Sequence, residues 1–198
     1  MEDDLSEWVL RRLLHERPVQ YAIGSVFKQG GFGYLKKQSP AFNNAAKGCP
    51  VLLLTDLDRR PCAPDLLEEW LKNPKHEDFL LRVAVREVEA WLLASDTTLA
   101  RFLGIRGKVD FSTPEMLDDP KIELLKLATT SPRRDIREAI VRRDTGGNLR
   151  QGPAYNSVLA EFVNDHWNMN VASSKCDSLD RMLKALATLE SNWMARTK

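Results

Sequence analysis

One segment restricts the folds open to this chain: an almost continuous apolar run that leads straight into two aspartates, VLLLTDLDRR. Short apolar runs of this kind are typical of a parallel β-strand that is covered on both faces. Asp56 follows the run directly, and Asp58 comes two positions later. Because ligands of open α/β sheets bind beyond the carboxyl ends of the strands, this segment predicts a site at the tip of the strand.

The pattern around this strand alternates between helical and extended segments. One-sided apolar spacing predicts helices, and runs rich in β-branched and aromatic residues predict strands. Such alternation indicates an α/β domain over residues 1–104, with a mostly parallel sheet and flanking helices. The predicted order is helix 5–16, strand 19–27, glycine-rich loop 29–37, helix 39–48, strand 50–58, helix 63–73, strand 78–85 and helix 86–104.

The second half of the chain has no comparable strand pattern. Apolar periodicity predicts helices, and a polar stretch with two glycines predicts a loop between the second and third of them. We interpret residues 105–198 as a helical C-terminal extension packed on the first domain. The predicted elements are helices 121–130 and 132–143, loop 145–153, and helices 153–169 and 178–193.

Composition excludes several classes of protein. The net charge of +1 predicts no general attraction to nucleic acid, so any anion-binding surface must come from local segregation of charge. The three cysteines are scattered without a zinc-like spacing, which favours a reducing compartment. The acidic start is unlike a signal peptide, and no apolar run approaches the ~20 residues of a membrane span. We therefore expect a cytoplasmic protein without membrane contact.

Acidic residues follow both central strands. Asp56 and Asp58, taken as extended backbone, would point the same way and could face one Mg²⁺ ion. Glu87 and Glu89 follow the next strand, whose tip would lie about 5 Å away if the strands are neighbours. The alternatives are a helix cap and a solvated turn for the aspartates, and an ordinary acidic first turn for the glutamates. Further acids open the chain at Glu2 and Asp3, where a frayed terminus is the alternative.

The order of these features resembles the TOPRIM fold: an acid before a helix, a strand that ends in Asp-x-Asp, and a strand that leads to Glu-x-Glu and a tryptophan. The sequence is more closely similar to small TOPRIM-like proteins of bacterial antiviral defence loci, which are related to OLD-family nucleases and often encoded beside an ATPase. REVEAWLLAS and EDDLSEWVLRRLL carry this similarity, which covers residues 2–104. TOPRIM proteins place the first acid after a buried strand, whereas only Met1 precedes Glu2 here. Either the sheet lacks that strand or the coding sequence begins further upstream.

The resemblance implies roles for the acidic residues. Glu2 or Asp3 would be the catalytic acid and general-base candidate, and Mg²⁺ or Mn²⁺ would be the cofactor. The implied chemistry is phosphodiester cleavage, with an ATPase as a protein partner. The implied metal ligands are Asp56, Asp58, Glu87 and Glu89.

Basic residues suggest where nucleic acid could bind. Three arginines in the predicted helix 132–143 would form a stripe able to follow a phosphate backbone, with further basic residues near it. The alternative is a solvated helix held by ion pairs between neighbouring turns. The candidates are Lys36, Lys37, Arg133, Arg134, Arg137, Arg142 and Arg143.

Two functions remain open. The first is a Mg²⁺-dependent TOPRIM-type nuclease of an antiviral system, acting on DNA in preference to RNA. The second is a non-catalytic partner or nucleic-acid-binding module of an ATPase complex that keeps the fold. Self-association is compatible with either function. Other enzymes with an Asp-x-Asp motif fit poorly, because the sequence DLDRR lacks the Gly-Thr expected of haloacid-dehalogenase phosphatases.

Overall fold

The computed structural model describes residues 1–28, 30–71 and 73–196. Three small parts of the predicted elements lie outside these ranges: Gln29 of the loop 29–37, Lys72 of the helix 63–73, and residues 197–198 of the C-terminal extension. The described helices are α1 (Asp4–His15), α2 (Gly31–Ala45), α3 (Ala63–Trp70), α4 (Val88–Ala94), α5 (Asp96–Phe102), α6 (Pro120–Thr129), α7 (Arg134–Ile140), α8 (Tyr155–Asp165), α9 (Met169–Lys175) and α10 (Asp177–Arg196), with a short 3-10 helix at Pro114–Met116.

The strands of the described residues form two small sheets. Strands β1 (Val51–Asp56) and β2 (Phe79–Ala84) run parallel, and Asp56 lies opposite Ala84 at their carboxyl ends. Strands β3 (Val141–Arg143) and β4 (Leu149–Gln151) form an antiparallel hairpin. The prediction of an α/β fold with a helical C-terminal half is therefore confirmed at this level of detail.

The alternation of side chains along β1 and β2 explains why helices cover both faces of this sheet. Leu54, Leu80 and Ala84 join the larger core, which also contains residues of α1, α4, α8 and α10. Leu53 and Leu81, which point the opposite way, join a smaller core built against α2 and α3. Most residues of both strands are buried, as the continuous apolar run of β1 predicted. The larger core combines residues from both halves of the chain.

The predicted strand 19–27 is wrong. None of the described residues from Val19 to Lys28 belongs to a strand, and the stretch from Ala22 to Ser25 is exposed. This stretch lines an apolar cavity of about 740 Å³ across from β1 and is not paired with it. The preference of such residues for strands depends on context, and here the stretch stays unpaired although β1 lies across the same cavity.

Other boundaries also differ from the predictions. Most of the predicted loop 29–37 and helix 39–48 form one helix, α2, which begins at Gly31; Gly30 and Gly31 have left-handed backbone with φ of 88° and 55°. Predicted helix 132–143 ends at Ile140, and its last residues pair with β4 inside the predicted loop. The turn of this hairpin is closed by the Asp144 carboxylate, which accepts hydrogen bonds from the backbone N–H groups of Gly146 and Asn148.

No helix in the described part of the chain is both long and apolar enough to cross a membrane.

Candidate functional site

The candidate site begins at the carboxyl end of β1. Asp56 is the last residue of the strand, and its side chain is 8% exposed. Its Oδ1 accepts a hydrogen bond of 3.2 Å from the backbone N–H of Val88, at the start of α4. This contact joins the tip of β1 to the segment that follows β2. Glu89 lies in the first turn of α4 and is 1% exposed.

The start of the chain supplies a second acid to this edge. Oε1 of Glu2 accepts hydrogen bonds from the backbone N–H of Asp56, at 3.0 Å, and from the hydroxyl of Thr55. Asp3 has a different role, because its Oδ1 accepts from the Ser6 N–H at 2.8 Å and caps α1. Of the two acids proposed at this end, Glu2 is the one that contacts the tip of β1.

Two residues from the second half of the chain complete the cluster. Nζ of Lys121, on α6, lies 3.5 Å from Oε1 of Glu87 and 3.6 Å from Oε1 of Glu89. The backbone N–H of Lys121 also donates to Oε2 of Glu87 at 3.1 Å. The hydroxyl of Tyr155, at the start of α8, donates to Oε1 of Glu89 at 2.9 Å. Oε2 of Glu89 is buried without a hydrogen-bond partner among the described residues.

Crowding of buried carboxylates changes their protonation. Burial raises the pKa of Asp56 well above its ordinary value, and the charges of Glu89, Glu2, Asp3 and Glu87 raise it further. Burial also raises the pKa of Glu89 to about 7, although Lys121 opposes the shift.

The pKa values of Glu87 and Lys121 are also raised. Burial raises the pKa of Glu87, again against Lys121. Burial acts to lower the pKa of Lys121, but Glu89, Glu87 and Asp56 together raise it above its ordinary value. The cluster therefore carries more negative charge than Lys121 can balance when its carboxylates are ionised, and an additional cation would be favourable there.

Asp58 lies at the edge of this cluster, where its charge adds to the burial that raises the pKa of Glu87. The backbone turns immediately after β1, and Asp58 adopts a left-handed conformation with φ of 52° while its N–H donates to Arg86 O at 2.8 Å. Its side chain is exposed. The prediction that Asp56 and Asp58 point the same way on extended backbone is therefore wrong, because the strand ends at Asp56.

The predicted basic residues do not form one helical stripe. Arg133 precedes α7 and pairs with Asp135, while Arg134 pairs with Glu138 and Arg137 donates to the backbone oxygen of Ser131. Two further candidates lie in β3 instead of the helix. There Arg142 donates to Gln151 O and Arg143 to Gly147 O. The last candidates are on α2, where Lys36 pairs with Glu69 and Lys37 is exposed.

Sequence patterns gave no sign that Lys121 or Tyr155 would reach the acids. Lys121 opens an ordinary amphipathic helix, and Tyr155 follows a loop more than sixty residues after Glu89 in the chain. The packing of α6 against α4 brings Lys121 to the site. The only available signal is indirect: buried carboxylates require compensating groups from some other part of the fold.

The cluster is not arranged as a finished metal site. In residues 1–28, 30–71 and 73–196, no group of three or more His, Cys, Asp or Glu side chains stands in position to hold a metal ion. The donor chemistry nevertheless suits a hard divalent cation, which prefers carboxylate oxygens. The unpartnered Oε2 of Glu89 is the clearest free ligand atom. Asp56, Glu87, Glu89 and Glu2 are the residues that could hold such an ion.

The fold and the site together describe an α/β protein with an acidic cluster at the end of a parallel strand pair. The family model "Domain of unknown function (DUF4276)" matches residues 2–187, and the chain belongs to this family. The match includes every residue of the cluster, from Glu2 to Tyr155. No curated protein and no solved structure matches the chain.

Proposed function

We propose that this protein is a Mg²⁺- or Mn²⁺-dependent nuclease of the TOPRIM type, which hydrolyses phosphodiester bonds of DNA in preference to RNA. The observation that carries the proposal is the meeting of Glu2, Asp56, Glu87 and Glu89 around the end of β1, beside Lys121. The order of the acids along the chain resembles that of TOPRIM proteins. Asp56 is the principal aspartate of the site, because it is buried there while Asp58 is exposed at its edge.

The side chains divide into two roles in this proposal. Asp56 and Glu89 would hold the cation, with Glu87 beside them, and the cation would offset negative charge that develops on the phosphate. Glu2 is fixed by two hydrogen bonds and is the candidate general base. The Lys121 ammonium lies beside Glu87 and Glu89 and could contact a phosphate oxygen.

A path for nucleic acid is suggested by the β3–β4 hairpin. This hairpin packs on α6, the helix that carries Lys121. A groove of about 600 Å³ between them is lined by Lys126 and Arg150, among others. Arg142 and Arg143 are exposed on the same hairpin. These groups could track a phosphate backbone towards the acids.

By the resemblance to defence proteins, we further propose that the chain works in the cytoplasm with an ATPase partner in an antiviral system. The second candidate function is a non-catalytic partner or nucleic-acid-binding module. One observation favours it: Lys121 already neutralises part of the acidic cluster without a metal. Metal binding distinguishes the two functions.

Thermal unfolding in the presence and absence of Mg²⁺ or Mn²⁺ is the first test. The cation is added at ~10 mM. If this is about a hundred times the dissociation constant, binding adds roughly 2.7 kcal/mol to the free energy of unfolding and raises the melting temperature by several degrees. We expect this shift in the wild type and in Asp58→Asn, and its loss in Asp56→Asn. Wild-type cleavage of plasmid DNA that Asp56→Asn abolishes would then support the enzyme. An equal shift in all three proteins, or none, would refute the metal site.

A further inference from the structure

Lys121 occupies an unusual place between the acidic cluster and solvent. It is the second residue of α6, and its backbone N–H is anchored to Glu87. Its side chain is 30% exposed, whereas that of Glu89 is 1% exposed. The lysine side chain is therefore partly accessible to solvent, whereas the carboxylate beside it is not. Its stem is flexible enough to carry the ammonium elsewhere.

The distances show that this ammonium is a loose counter-ion. Nζ lies 3.5 Å and 3.6 Å from Oε1 of Glu87 and Glu89, beyond the usual range of N–H···O hydrogen bonds. In contrast, Oε1 of Glu89 receives a proper hydrogen bond of 2.9 Å from Tyr155. The lysine is thus held by charge more than by directional bonds. The ammonium can therefore move away without breaking a short hydrogen bond to either carboxylate.

A divalent cation would compete with Lys121 for the same carboxylates. Mg²⁺ binds carboxylate oxygens at about 2.0–2.1 Å. An ammonium that stayed about 3.6 Å from the same oxygen would then face a doubly charged ion across a buried site, where charges are poorly screened. The ammonium must therefore withdraw as the ion binds, and a negatively charged phosphate at the mouth of the site would receive it.

We propose that Lys121 is an exchangeable internal cation, which holds Glu87 and Glu89 in the metal-free protein and moves to a phosphate of the nucleic acid when a divalent cation binds. This inference rests on the proposed function and adds a consequence to it. Metal and nucleic acid then bind cooperatively. The metal ion releases Lys121 from the carboxylates so that its ammonium can reach a phosphate, and a bound phosphate draws the ammonium away from the carboxylates that the metal ion needs. By linkage, the coupling is the same in both directions.

A Mn²⁺ titration tests the exchange without measuring catalysis. The electron paramagnetic resonance signal of free Mn²⁺ reports how much of the ion is bound. Lys121→Gln removes the competing charge, and we expect it to bind Mn²⁺ at least about tenfold more tightly than the wild type, equivalent to ~1.4 kcal/mol. Lys121→Arg keeps the charge and is expected to bind no more tightly than the wild type. Lys126→Gln is the matched control, because Lys126 lies on the same helix and pairs with Glu123 instead.

A short DNA oligonucleotide added to the same titration tests cooperativity. It should tighten Mn²⁺ binding by the wild type, after correction for Mn²⁺ bound by the DNA alone, and have a smaller effect on Lys121→Gln. Equal Mn²⁺ affinity of the wild type and Lys121→Gln would overturn the exchange while leaving the proposed metal site intact. Absence of Mn²⁺ binding by both proteins would overturn the proposed function as well.

Chemical acetylation of the wild type provides a test that does not depend on the folding of a variant. A paired, partly covered lysine reacts more slowly than a free one. We therefore expect Mg²⁺, added in a buffer that contains no phosphate or nucleic acid, to increase acetylation of Lys121 as measured by mass spectrometry. Acetylation of Lys126 should stay constant and serves as an internal control. Unchanged acetylation of Lys121 at a Mg²⁺ concentration that stabilises the protein would refute the exchange.

Discussion

Glu89→Gln provides the sharpest test of the electrostatics of the acidic cluster. Glutamine has nearly the shape of glutamate, and its amide oxygen can accept the hydrogen bond from Tyr155. The substitution removes the ability to ionise in a position that is 1% exposed. If burial makes ionisation of Glu89 costly, the variant should be more stable than the wild type at alkaline pH.

The pH dependence follows from the pKa of Glu89, which is about 7 in the folded protein against an ordinary value of 4.5. Below 4.5, the carboxyl is protonated in both the folded and unfolded states, and the wild type keeps its full stability. Between these values the unfolded chain releases the proton more readily, so the free energy of unfolding falls as pH rises. Above about 7 the loss is complete.

The size of this loss is about 3 kcal/mol, because each unit of pKa corresponds to roughly 1.4 kcal/mol and the side chain is shielded from solvent. Relief of the neighbouring Asp56, whose pKa Glu89 also raises, acts in the same direction. For a protein of this size, the difference corresponds to a rise of roughly 6–12 °C in melting temperature.

Urea denaturation of both proteins, in EDTA and from about pH 4 to about pH 9, measures this difference. The two stabilities should be similar at the acidic end and diverge as pH rises. Glu138→Gln, at an exposed acid on α7, is the control and should differ little from the wild type at any pH. A Glu89→Gln variant that is less stable than the wild type at about pH 8, or a difference that does not vary with pH, would refute the reasoning.

Two further predictions concern neighbours of the cluster. Tyr155→Phe removes the hydroxyl that donates to Glu89. We expect it to lower the free energy of unfolding, measured by urea denaturation, by about 1–3 kcal/mol, and by more at high pH where the carboxylate is charged. A loss of stability that becomes smaller as pH rises would contradict this role of the hydroxyl. Gly152→Ala places a Cβ 2.4 Å from the backbone oxygen of Ala139, so it should destabilise the protein by about 1–3 kcal/mol. Gly24→Ala has no atom within 4 Å of the added Cβ and serves as its control; equal stability of both variants would show that the chain relaxes around residue 152.

The strand pair and the acids at its end were predictable because local pattern decides them. The apolar run of β1 could be satisfied only by cover on both faces, and the end of such a strand defines a binding edge. Asp56 and Glu89 follow from that rule. Asp58 does not, because the argument assumed extended backbone beyond the point where pairing stops. Leu57 keeps the side-chain alternation, because it joins the smaller core, but Asp58 adopts left-handed backbone in the turn at Asp58 and Arg59.

Other features depended on contacts between distant segments. The stretch 19–27 has the composition of a strand, but it stays unpaired, although β1 borders the same cavity and pairs only with β2 in the described structure. Lys121 and Tyr155 reach the acids because α6 and α8 pack on the same core as α4. Neither position carries a local signal for that packing. A sequence pattern predicts which face of a helix is buried, but it does not predict which helix will cover it.

The spread of the acidic cluster along the chain affects how a newly made copy acquires it. Among the residues of the cluster, Glu2 leaves the ribosome first and Tyr155 last, with more than 150 residues between them. Until then, Glu89 has neither its ammonium neighbour nor its hydroxyl donor, and α1 lacks α8 as a packing surface. Contacts over such long sequence separations form late and slowly. A nascent or prematurely terminated chain that has not reached Tyr155 therefore has no complete cluster, which delays any activity of the site until α8 has been synthesised.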